Sequence, residues 1–146
     1  MPGSRAPHRL YVHIAWSTLA PAEAPAAARR AMIESHVLAT CRWIGAQPVE
    51  VCALADRVHL LAGLPPVLSV QALATHVRRT VEDLLADSGR VVRWSPGFAA
   101  VTVSPRDVRR IRRRLASLDP SDGGPDPSRP RPGAARPRGR TRRRRG

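Results

Sequence analysis

The chain has 146 residues and a formal net charge of +14 at pH 7, enough length for one domain and too little for two. All 25 of its Lys/Arg positions are arginine, so part of the charge reflects a coding bias; the remainder still points to a polyanion, with nucleic acid first. Cys41 and Cys52 stand in no CxxC or Cys/His ligand spacing, which argues against zinc and a disulfide framework and fits a reducing cytoplasm. Nothing resembles a signal peptide and no apolar run approaches membrane-spanning length, so a soluble, cytoplasmic protein is expected.

Nearly all apolar content lies between residues 8 and 118. Residues 119–146 are almost wholly Asp, Pro, Gly, Ser and Arg with no large apolar side chain. Such a segment cannot offset the entropy of ordering and is expected to be a disordered tail.

Within the apolar part, residues 8–18 alternate. Leu10, Val12, Ile14 and Trp16 share one face and Tyr11, His13 and Ala15 the other, the pattern of a half-buried first strand. Residues 19–23 read as a Pro/Ala linker. Pro25 suits the first turn of a helix reaching about Ile44, with Ile33, Val37, Cys41 and Ile44 toward the core and Gly45 as its stop. Residues 49–54 form a second strand, and an Ala55-Asp56 turn makes it a hairpin with a third. In that third strand Val58, Leu60, Ala62 and Leu64 point one way and Arg57, His59, Leu61 and Gly63 the other, up to the Pro65-Pro66 stop.

Ser69 is placed to cap a second helix with the stripe Val70, Leu73, Val77, Val81 and Leu84, ending near Gly89. A fourth, edge-like strand covers about 97–103. Ser104 as cap, Pro105 at the first position and Asp107 then start a third helix. Its apolar face is Val108, Ile111, Leu115 and Leu118, and Arg106, Arg109, Arg110, Arg112, Arg113 and Arg114 cover much of the remainder.

The order βαββαβ with right-handed crossovers gives a ferredoxin-like α+β fold. It has an antiparallel sheet, both crossover helices on one face, and an additional C-terminal helix. Strands one and three become central neighbours, with Tyr11, His13 and His59 on a face left open unless the third helix or a partner subunit covers it. A lone strand histidine is ordinarily structural, so the pattern alone assigns it no chemistry.

Four stretches in order carry a resemblance. They are Tyr11-Val12-His13-Ile14-Ala15-Trp16-Ser17-Thr18, then Asp56-Arg57-Val58-His59-Leu60-Leu61, then Leu64-Pro65-Pro66-Val67-Leu68-Ser69-Val70, and last Trp94-Ser95-Pro96-Gly97-Phe98 with Val101-Thr102-Val103-Ser104-Pro105. Over residues 8–118 the chain resembles the single-tyrosine transposases of the insertion-sequence 200/605 type. These belong to the HUH (His-hydrophobic-His) endonucleases and include the REP-associated branch. The resemblance implies a homodimer that cleaves and rejoins single-stranded or hairpin DNA. Two histidines one residue apart would hold Mg²⁺ or Mn²⁺ against the scissile phosphate. A tyrosine on the last helix would attack to give a 5′-phosphotyrosine, and a glutamine one turn on would complete the metal site.

The chain departs from that pattern at its reactive positions. His59 matches the second histidine, but the first falls on Arg57, which stays protonated and cannot ligate a cation. The tyrosine position falls on Arg114 and the glutamine position on Leu118. These losses imply a DNA-binding protein impaired in catalysis, with Arg57, Arg109, Arg110, Arg112, Arg113 and Arg114 contacting DNA. Three other readings stand beside it: a remodelled metal-dependent nuclease using Tyr11, His13 and His59; a ferredoxin-like RNA-binding module, short of exposed aromatics; and a decaying reading frame.

Overall fold

Residues 10–17, 27–87, 89 and 94–119 are described by the structure, a computed structural model. The expected linker at 19–23 and all but the first residue of the expected tail lie outside them. The elements run β1 (Leu10–Ser17), α1 (Ala27–Trp43), β2 (Gln47–Ala53), β3 (Arg57–Leu64), α2 (Val70–Asp87), β4 (Ala99–Val103) and α3 (Val108–Ala116). The four strands form one antiparallel sheet in the order β2-β3-β1-β4. This is the ferredoxin-like α+β arrangement the sequence pattern implies, with strands one and three adjacent at the centre.

Strand alternation sorts the core into two clusters on opposite faces. On one face Val12, Ile14, Trp16, Val58, Leu60, Ala62 and Leu64 pack beneath α1 and α2, which contribute Ile33, Val37, Cys41, Leu73, Val77 and Val81. Each fully buried aliphatic side chain here stabilises the fold by about 1.5–3 kcal/mol. The Thr40 and Thr80 hydroxyls join the two helices at 2.9 Å. The Ala72 N–H donates to Ser69 Oγ at 3.0 Å, so Ser69 caps α2 as its position before the helix implies. Gly45 has φ +89, a left-handed conformation few other residues tolerate, and it ends α1.

On the other face Cys52, Leu54, Leu61 and Leu115 form a smaller cluster, flanked by Val49, Val103, Val108, Ile111 and Leu118. The third helix therefore covers the β2–β3 half of the face the sequence pattern leaves open. Two element starts differ from the sequence reading. β4 begins at Ala99, two residues later than expected, after a turn through Gly97 at φ +73. α3 begins at Val108 with Asp107 as its N-cap and no side-chain capping bond. Ser104 is not the cap: the Asp107 N–H donates to the Ser104 carbonyl at 2.8 Å. Pro105 then occupies the second position of a β-turn, which its fixed φ favours as much as a helix start.

The two sheet edges are finished differently. β2 carries Pro48 and a register irregularity between Pro48 and Glu50. Its Ala53 N–H donates to Glu34 Oε1 at 3.1 Å, and the same oxygen accepts from Arg30 Nε at 2.8 Å. β4 has neither proline nor charge. Among the described residues no helix is long and apolar enough to cross a membrane.

Candidate functional site

The β1–β3 register pairs Ala15 with His59 and His13 with Leu61. The two histidines thus stand diagonally, offset by two residues on one face, within reach of ring side chains. Their side chains close the gap. His13 Nε2 lies 3.0 Å from His59 Nδ1, with ring centroids 5.1 Å apart and planes tilted by 33°. At that distance one ring donates an N–H and the other accepts, so the rings are not both fully protonated. His59 is completely buried and His13 half-buried.

Tyr11 sits two residues from His13 on the same face and is half-buried, opposite Gly63 on β3 and Val103 on β4. Arg57, on the His59 face of β3, is 6% exposed, and its Nε donates to Asp56 Oδ1 at 3.1 Å. Its guanidinium is enclosed with a carboxylate at the hairpin turn.

Sequence reasoning assigned Cys52 no place near the histidines, yet the β2–β3 register sets it directly opposite His59. The signal was present: a two-residue turn at Ala55-Asp56 pairs 54 with 57 and therefore 52 with 59. Burial pushes the Cys52 thiol up, against the nearby positive charge of Arg30, whose Nη2 donates to Cys52 Sγ at 3.5 Å. The thiol therefore stays protonated at neutral pH, which makes it a poor nucleophile and a poor metal ligand.

α3 brings cations to this side of the sheet. Its buried Leu115 pins it, and Arg109, Arg110, Arg112, Arg113 and Arg114 are all exposed along it. Arg110 pairs with Asp107 at 3.1 Å and Arg112 with Glu50 at 3.4 Å. Both pairs are well exposed, of the kind worth little in water, and they leave the helix strongly positive.

The donor set does not suit the Mg²⁺ or Mn²⁺ that the resemblance implies. Such cations take oxygen donors, largely carboxylates and water. The histidine pair offers two nitrogens beside the Arg57 cation, and no group of three His, Cys, Asp or Glu side chains able to hold a metal exists among the described residues. Leu118, which the sequence resemblance sets where a third metal ligand would stand, packs against the apolar cluster beneath α3.

No family model matches the chain, and no curated protein matches it by sequence. Solved structures do match it. A candidate transposase from Deinococcus radiodurans R1 superposes with a TM-score of 0.56 at 19% identity, over 80% of this chain and 95% of that one. A REP-associated tyrosine transposase bound to a REP hairpin superposes with a TM-score of 0.57 at 11% identity, over 73% of this chain and 64% of that one. The chain has the tyrosine-transposase fold. Within that fold, His13 and His59 lie together on the central strands and the arginines line the helix that follows the last strand.

Proposed function

We propose that this chain is a transposase-fold protein that binds single-stranded or hairpin DNA in the cytoplasm as a homodimer and is impaired in strand cleavage. The observation that carries the reading is α3: five exposed arginines on one short helix, docked on the sheet face that holds the histidine pair. Arg109, Arg110, Arg112, Arg113 and Arg114 contact phosphates, giving sequence-tolerant affinity that weakens steeply with salt. Arg57 is buried and paired with Asp56, so the phosphate contacts rest on the α3 arginines and not on it. The REP hairpin bound to one of the fold neighbours named above supports hairpin DNA as the ligand class. The residues at the reactive positions, Arg57, Arg114 and Leu118, support impaired cleavage, since none can ligate a cation or attack a phosphate.

The test is a labelled single-stranded DNA hairpin incubated with the protein with and without Mn²⁺, run on native and denaturing gels. A salt-sensitive native complex with no detergent-resistant adduct is expected. A metal-dependent covalent adduct that disappears in Tyr11→Phe would replace this reading with a remodelled nuclease using Tyr11, His13 and His59. Absence of any complex would favour a frame that no longer functions.

A further inference from the structure

The helix layer, on the far side of the sheet from the histidine pair, carries a feature that has no part in the α3 surface. Trp43, the last residue of α1, is 80% exposed, whereas the other two tryptophans, Trp16 and Trp94, are buried. An indole so exposed keeps at least one ring face open to solvent. His76 of α2 meets it edge-on, with ring centroids 6.3 Å apart and planes at 67°, which steadies the ring without covering both faces.

Charge around this indole is also distinctive. On the same two helices Arg30 and Arg78 are each neutralised one turn on, by Glu34 at 2.8 Å and Glu82 at 3.1 Å. Arg42 and Arg79, beside Trp43 and His76 in sequence or one turn away, are exposed and make no ion pair among the described residues. Arg42 further lines an open concavity of about 460 Å³ with Gln47 and Pro48, directly after Trp43 in the chain. The carbonyl ends of α1 that face this region are partly taken up: the Ala46 N–H donates to the Cys41 carbonyl at 2.9 Å and the Gly45 N–H to that of Arg42 at 3.2 Å. The helix end therefore opposes an anion less than bare carbonyls would.

We infer that Trp43 and His76 form a stacking platform for one base of single-stranded DNA, with Arg42 holding the adjoining phosphate over the concavity. An open aromatic face with an unneutralised cation next to it in the chain is the kind of pairing that sequence-tolerant single-strand binders use. This second contact rests on the DNA-binding reading for its ligand, but it lies on the opposite face of the sheet from α3. A strand held at both places runs around the edge of the domain.

The experiment uses the full chain, a short oligothymidine, and an abasic strand of the same length. Iodide quenching singles out the exposed Trp43 against the two buried tryptophans. Oligothymidine should shield that fluorescence from iodide, and the abasic strand should bind without shielding it. Trp43→Ala should lose about 5- to 150-fold in affinity and Trp43→Phe much less, while Arg42→Gln should lower the logarithmic salt slope by about 0.7. Equal affinity of the wild type and Trp43→Ala, with iodide access unchanged by DNA, overturns this inference and leaves the α3 reading standing. Failure of the wild type to bind either strand overturns both.

Discussion

Cys41 is fully enclosed under α1, and burial pushes its thiol up to about 12. In the unfolded chain the thiol ionises near its ordinary value of 9.0. Between those values the folded state keeps a proton that the unfolded state has released, so stability falls as pH rises, by at most about 1.4 kcal/mol per pH unit. Well below pH 9 the thiol is neutral in both states and contributes no slope. Urea unfolding of the wild type and Cys41→Ala across pH 8 to about 10.5 checks this. The variant, whatever its baseline stability, should show a shallower decline than the wild type; parallel curves would mean another group is titrating. His13 and His59 answer to a different constraint. Each supplies the other's hydrogen bond, so His13→Ala should destabilise the fold by about 1–3 kcal/mol in the same assay.

Among the elements, α3 depends most on one side chain. Nine residues are too few to hold a helix in water, and Leu115 is its only fully buried residue. Leu115→Ala should cost about 2–5 kcal/mol. It should also let α3 amides exchange well before those of β1 and β3, as hydrogen exchange would show. How much of such an element the sequence reveals depends on which signals are unambiguous. The spacing of Val108, Ile111 and Leu115 could only be a helix face. Ser104-Pro105 could not settle its start, because a fixed φ serves a turn and a first helical position equally well. Strand alternation placed Tyr11, His13 and His59 on one face correctly. It could not say that the histidines would touch, because that follows from the β1–β3 register, and no turn joins those two strands to fix it. The Cys52–His59 pairing, by contrast, was fixed by a two-residue turn and was legible. The exposure of Trp43 was not: helical spacing predicts a face, and the depth of that face depends on where α2 packs.

For the whole molecule, the proposed DNA binding predicts separable contributions from the arginine-rich tail and from α3. Removing residues 120–146 deletes nine arginines and none of the two core clusters. The shortened chain should keep its unfolding midpoint while its DNA affinity falls less steeply with salt. The logarithmic slope should shrink by about 0.7 for each phosphate that the tail no longer neutralises. Titrations at several salt concentrations, beside a thermal melt, would show both. A shifted midpoint would mean the tail is part of the folded unit.

The finish of the two sheet edges has a directional consequence. At β2 a proline, a register irregularity and the Glu34 carboxylate already occupy or disrupt the outer backbone groups, as edge strands that resist pairing commonly do. The five residues of β4, Ala99–Val103, present an uncharged and proline-free rim. Among the described residues the two rims therefore oppose an added strand unequally: one pairing with β4 meets no proline, charge or register break in that strand, and it would extend the sheet away from the hairpin that holds His59.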